Sequence, residues 1–228
     1  MTRLPALLAA LALITLPALA ADPAPFQASY QVLRGSKTIG EADMRLQRHG
    51  ADWRFTTRTQ ATGGIAGLLG LDIRETTDFR WQQDQPELLR YDYQLASGLT
   101  QRTRVLTVDW KAGRVQVDDS RKGRAEYAST HGLTERHLLT LSLAQALARG
   151  QRDFALPLAV QDRIERQAFT ATQSESITVP IGTTAALRVQ RPDKDNFVAW
   201  YAPERYPVPV KLRYGDKLEL RLKSFTRN

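Results

Sequence analysis

The chain has 228 residues, 42% hydrophobic and 25% charged, with 32 lysines and arginines against 24 acidic residues and no cysteine. This composition excludes a collagen, a polytopic membrane protein, a disulfide-stapled miniprotein, a zinc finger and a disordered charged tail. The missing thiols also exclude a cysteine nucleophile, thiol redox chemistry and lipid attachment at cysteine, while the net charge of +8 favours anionic partners.

In chain order, the first expected element is a cleavable signal peptide at 1–20: Arg3, an apolar run from Leu4 to Ala20, and the small-x-small end Ala18-Leu19-Ala20. A retained anchor is the weaker reading, because the run is short for a bilayer and is interrupted by Pro5 and Pro17. Export to a bacterial periplasm is therefore expected, with secretion as the lesser alternative. The rest, 21–228, is expected to be a single mainly-β domain. A chain of this length buries about 70% of its unfolded surface and needs neither disulfides nor a metal to fold.

From Phe26 to Trp81 the apolar residues mostly recur every second position (Phe26, Ala28, Tyr30, Val32; Ala42, Met44, Leu46; Trp53, Phe55; Ile73, Phe79, Trp81), which predicts strands with one buried face. Gly35-Ser36 and His49-Gly50 supply turns between them. Further strands are predicted at Glu87–Leu95, Thr103–Trp110 and Arg114–Asp118, an antiparallel meander. Thr134–Arg149 then predicts a helix about 24 Å long, apolar around much of its circumference, with Gly150 as a left-handed cap. A second series of strands follows: Phe154–Val160, Ile164–Thr172, Glu175–Val179, Ala185–Gln190, Phe197–Ala202, Val208–Tyr214 and Lys217–Phe225. With about a dozen strands, one long helix and no strand–helix alternation, the expected fold is a curved antiparallel sheet or unclosed β-barrel or β-roll, the helix packed against it.

The glycines at 63, 64, 67 and 70 resemble a dinucleotide loop only superficially. Such a loop requires a parallel strand–turn–helix unit and a later acidic residue. Between those glycines lie Ile65, Leu68, Leu69 and Leu71, with two readings. They form a short core-packing turn, or a mobile apolar lip over a ligand cavity or at a lipid surface; in the second case they are the ligand-binding candidates. His131, Glu135 and His137 are the best metal-like group, but on a helix His137 falls about 200° round from Glu135, so no metal site is expected. Asp193-Lys194-Asp195-Asn196 opens like a calcium loop, but Phe197 and Val198 replace the required ligand and glycine, and a hairpin turn is the better reading. There is no G-x-S-x-G elbow, and no cofactor is expected.

Between Gln101 and Arg124 seven basic residues face three acidic ones. Either this is a solvated strand edge protected by charge, or Arg102, Arg104, Arg121, Lys122 and Arg124 contact anionic lipid headgroups or envelope polyanions. Export argues against nucleic acid as a partner.

Several segments together resemble the exported bacterial family known as domain of unknown function 3108 (DUF 3108). They are Tyr30-Gln31-Val32 with Thr38-Ile39-Gly40-Glu41-Ala42; Ile177-Thr178-Val179-Pro180-Ile181-Gly182-Thr183 with Ala186-Leu187-Arg188-Val189; Trp200-Tyr201-Ala202-Pro203; and Tyr206-Pro207-Val208-Pro209-Val210-Lys211. These are turns and strand starts and carry no catalysis. The resemblance implies an exported, mainly-β fold similar to unclosed barrels that hold apolar ligands. The leading expectation is a non-enzymatic envelope protein binding a lipid-like ligand or a partner protein. An envelope-polymer hydrolase using carboxylates gathered by the fold, and a ligand-free scaffold, remain the alternatives.

Overall fold

The structure is a computed structural model that describes residues 23–83, 85–215 and 218–228, with side chains left out at 194–196. The expected signal peptide at 1–20 lies outside the described residues. The elements are β1 (Phe26–Arg34), β2 (Lys37–His49), β3 (Asp52–Ala61), α1 (Gly64–Leu68), β4 (Asp72–Gln82), β5 (Gln85–Ala96), β6 (Gln101–Asp109), β7 (Arg114–Asp119) and β8 (Gly123–Ala128). They continue with α2 (Leu139–Ala148), β9 (Asp153–Ala159), β10 (Ile164–Val179), β11 (Gly182–Arg191), β12 (Lys194–Tyr201), β13 (Pro209–Tyr214) and β14 (Leu218–Arg227).

Among the described residues all fourteen strands belong to one antiparallel sheet in the order β8-β7-β6-β5-β4-β3-β2-β1-β14-β13-β12-β11-β10-β9. Every ladder but one joins sequence neighbours; the exception is β1 on β14, where Phe26 stands opposite Arg227. The sheet is mainly-β and unclosed, as the sequence predicts. Its edge strands are linked by side chains instead of a ladder: Tyr127 Oη donates to Val160 O at 2.9 Å, and Gln161 Nε2 donates to Gly123 O at 3.2 Å.

Because side chains alternate across a strand, the register sorts one face into cross-strand rows. One row runs Phe26, Leu46, Phe55, Thr77, Tyr91, Leu106, Val117 from β1 to β7, and every member is buried. The next row runs Ala28, Met44, Thr57, Glu75, Tyr93, Arg104, Asp119, and turns from apolar to charged along its length.

Helix α2 packs on this face with Leu139, Leu141, Leu143, Ala144, Ala146 and Leu147 all buried, and Tyr201 Oη donates to Thr140 O at 3.1 Å. Burial on more than one side follows the expectation, but the helix is shorter than the expected Thr134–Arg149. Thr134 is held instead by β9, its N–H on Pro157 O at 3.0 Å and its carbonyl on Ala159 N–H at 2.8 Å. Glu135 then starts the helical turn, its carboxylate accepting the N–H groups of His137 and Leu138 at 2.6 Å each. At the other end Gly150 takes φ +80°, with Gly150 N–H on Leu147 O at 2.9 Å and Gln151 N–H on Ala146 O at 3.1 Å, the expected left-handed cap.

Two further differences concern strands. Ile164–Thr172 and Glu175–Val179 are one strand, β10, with a register shift between Ala171 and Ser174. The edge strand β8 was not expected; its Gly-Arg-Ala-Glu-Tyr-Ala sequence holds no β-branched residue, and its pairing with β7 supplies what propensity does not.

Candidate ligand cavity

Between the β13-β14-β1-β2-β3-β4 region of the sheet and the start of α2 lies a cavity of about 500 Å³. Aliphatic walls come from Val32, Ile39, Ile73, Leu212, Leu218 and Leu220, and the polar lining includes Thr57, Glu75, Arg136, His137 and Tyr214, with Arg34 toward one end. The alternation of β4 carries Glu75 into this face between Ile73 and Thr77, and the turn that starts α2 brings Arg136 and His137 over it.

Glu75 Oε1 accepts the Tyr91 hydroxyl at 2.7 Å and lies 3.2 Å from Arg136 Nε. The guanidinium also sits 5.3 Å above the Tyr93 ring. Burial is the strongest influence and works against the charge on Arg136, but Glu75 together with Tyr91, Tyr214 and Glu135 outweighs it and holds the group protonated. The Arg136 side chain remains 58% accessible, so it is exposed to whatever enters.

Deeper, His137 stacks on Phe55 with ring centroids 4.3 Å apart. Thr77 Oγ1 donates to Glu135 Oε1 at 2.8 Å and lies 2.8 Å from His137 Nδ1, while Thr57 Oγ1 lies 2.8 Å from His137 Nε2. With Glu135 ionised, the single Thr77 hydroxyl proton goes to it, which assigns the imidazole proton to Nδ1 and makes Nε2 the acceptor from Thr57. Burial pulls the His137 pKa down to about 4, so the ring is neutral at pH 7, and pushes Glu135 up to about 7. Both oxygens of Glu135 and both nitrogens of His137 are occupied by this network. It fixes the turn, while Arg136 and Tyr214 line the cavity outside this network.

The structure separates the residues singled out in the sequence. Leu71 lines the cavity together with Ala66. Ile65 and Leu68 are 76% and 89% exposed, which overturns the core-packing reading for both. Leu69 is half-buried, its carbonyl accepting Gly98 N–H at 2.8 Å.

The basic residues do not share one surface. Arg102 binds the buried Asp119 at 2.6 Å, and Arg104 Nε is buried with no hydrogen-bond partner, so the solvated-edge reading fails for these two. Arg124 pairs with Asp118 at 3.0 Å on the surface. Arg121 and Lys122 occupy the β7–β8 turn, where their backbone N–H groups reach Asp119 Oδ1 at 3.0 and 3.3 Å.

His131 meets Gln85 Nε2 at 3.1 Å at the surface, apart from Glu135 and His137, and the described residues contain no metal-binding cluster. Asp193 lies in the turn between β11 and β12 and pairs with Arg191 at 2.7 Å.

Sequence reading missed Glu75 and Arg136. The signal for Glu75 was available: a charge in the inward phase of Ile73, Thr77 and Phe79. Arg136 carried none, because its partner is brought to it only by the fold.

Together these features define a mainly-β protein: an unclosed antiparallel sheet around a helix, with a cavity aliphatic on its walls and polar at the helix start. The family model for "Protein of unknown function (DUF3108)" matches residues 26–222, and the chain belongs to that family. No curated protein matches it. Among solved structures it is similar to the crystal structure of a β-barrel-like protein of domain of unknown function DUF1849 from Brucella abortus. The identity is 11%, the match covers 90% of this chain and 98% of that chain, and the TM-score is 0.46.

Proposed function

We propose that this protein is a non-enzymatic carrier or sensor of a lipid-like amphiphile, exported to the periplasm, with the aliphatic cavity taking the chain and Arg136 the anionic head. The observation that carries this reading is the about 500 Å³ cavity whose accessible guanidinium lies among aliphatic walls. Its size falls within the range of small-molecule sites, and burying an acyl chain there gains about 0.8 kcal/mol per methylene. Arg136 keeps its charge beside Glu75 and offers its terminal N–H groups to a carboxylate or phosphate. A hydrolase finds less support: Glu135 has its oxygens filled by backbone and Thr77, and Glu75 is held by Tyr91 and Arg136.

Native mass spectrometry of the purified protein, followed by organic extraction, tests the reading directly. A copurifying single-chain anionic lipid is expected, together with saturable binding of a fluorescent fatty acid. Arg136→Met is expected to weaken the fatty acid at least tenfold while sparing a neutral monoacylglycerol probe, with folding checked by circular dichroism. No bound lipid and no saturable probe binding would overturn the proposal.

A further inference from the structure

The apolar residues that leave the core gather at one end of the molecule. Among the described residues the large hydrophobic side chains that stand exposed are Ile65, Leu68, Leu99 and Tyr214, and the first three are 76%, 89% and 78% accessible. Ile65 and Leu68 belong to α1, none of whose residues is buried, and Leu99 to the β5–β6 loop. Leu69 O accepts Gly98 N–H at 2.8 Å, so the two loops are joined and present their aliphatic side chains as one tip.

Cations flank this tip on both sides. On one, the β1–β2 hairpin with Arg34 and Lys37 abuts α1, since Ile39 O accepts the N–H groups of Thr62 and Gly63 at 2.9 and 3.2 Å. On the other, the β7–β8 turn with Arg121 and Lys122 abuts the β5–β6 loop, the Arg121 guanidinium donating to Thr100 Oγ1. None of these four cations forms an ion pair among the described residues, whereas the neighbouring acids are matched. Asp72 binds Arg58 at 2.7 Å and Arg74 at 3.2 Å, Asp119 binds Arg102 at 2.6 Å and Asp118 binds Arg124 at 3.0 Å.

We infer that this end docks on a bilayer containing anionic phospholipid, with Ile65, Leu68 and Leu99 entering the headgroup–acyl boundary and Arg34, Lys37, Arg121 and Lys122 contacting the headgroups. Three aliphatic side chains on narrow loops offer far less than the about 800 Å² that each partner buries in a stable protein interface. That small area suits shallow insertion assisted by unpaired positive charge. The cavity reaches the same end through Arg34, Ala66, Leu71 and Leu218. Docking would thus bring its mouth to the source of an amphiphile, and for that purpose alone the inference rests on the cavity reading.

The test is flotation of the full purified protein with vesicles of phosphatidylcholine alone and of phosphatidylcholine mixed with phosphatidylglycerol, scored beside fatty-acid probe binding in vesicle-free solution. Expected is binding to the mixed vesicles only, undiminished by soluble glycerol phosphate. Leu68→Ser with Leu99→Ser should weaken it about tenfold or more, and Lys37→Gln and Lys122→Gln about fivefold each. Because all four positions are exposed, melting temperature and probe binding should stay at the wild-type level. Absence of flotation, equal flotation with neutral vesicles, competition by glycerol phosphate, or flotation untouched by the two serines would overturn docking. Probe binding persisting in those cases would leave the cavity reading standing; flotation without probe binding would remove the cavity reading instead.

Discussion

Glu135 and His137 sit two residues apart in one buried turn, and burial moves their titrations in opposite directions. Glu135, raised from an ordinary 4.5 to about 7, favours the folded state fully below pH 4.5 and loses that contribution as pH rises through 7. His137, lowered from 6.5 to about 4, favours the folded state above pH 6.5 and loses its contribution as pH falls through 4. Each contribution is on the order of 3 kcal/mol across its window, and between about pH 4.5 and 6.5 the two slopes oppose each other. The wild type is therefore expected to show a flat pH profile there. His137→Gln should uncover the glutamate slope and make the protein more stable at pH 5 than at pH 7. Glu135→Gln should uncover the histidine slope, with stability falling from pH 6.5 to pH 4. Urea unfolding at a series of pH values checks the pair; superimposable profiles for the wild type and both variants would contradict the assignment.

At the level of elements, α2 serves as the filling of the sheet. Leu143 is completely buried, and Leu143→Ala is expected to cost about 2–5 kcal/mol, measured by denaturant unfolding. This packing explains which elements were legible in the sequence. Strands with one buried face declare themselves by alternation, as in Phe26, Ala28, Tyr30 and Val32 of β1. The helix declares itself by continuous apolar content and by Gly150, but its start is set by Thr134 joining β9, a tertiary contact with no local signature. The same limit applies to the site. Ile65, Leu68, Leu69 and Leu71 were visible as apolar residues among glycines, yet only Leu71 lines the cavity, because α1 turns the others to the surface or toward the neighbouring loop. Arg102 and Arg104 looked like surface charge because the inward face they share, Arg104 opposite Tyr93 and Arg102 opposite Leu95, becomes polar only at that level of the sheet.

For the whole molecule, the one ladder between sequence-distant strands has a kinetic meaning. Two meanders, β1–β8 and β9–β14, are each built from local hairpins, and they join only when β14 pairs with β1. Phe26 and its partner Arg227 are 201 positions apart, so this seam has by far the largest sequence separation in the sheet and dominates the contact order that slows folding. Asn228 N–H lies 3.1 Å from Pro25 O, so a short linker can join residue 228 to residue 23. A circular permutant joined there and opened between Gly150 and Gln151 would read β9 through β14 and then β1 through β8, with every ladder between consecutive strands and α2 last. It is expected to keep the native circular dichroism spectrum and to refold about tenfold faster in stopped-flow measurements. An unchanged rate would place the barrier in the docking of α2 rather than in the joining of the two meanders.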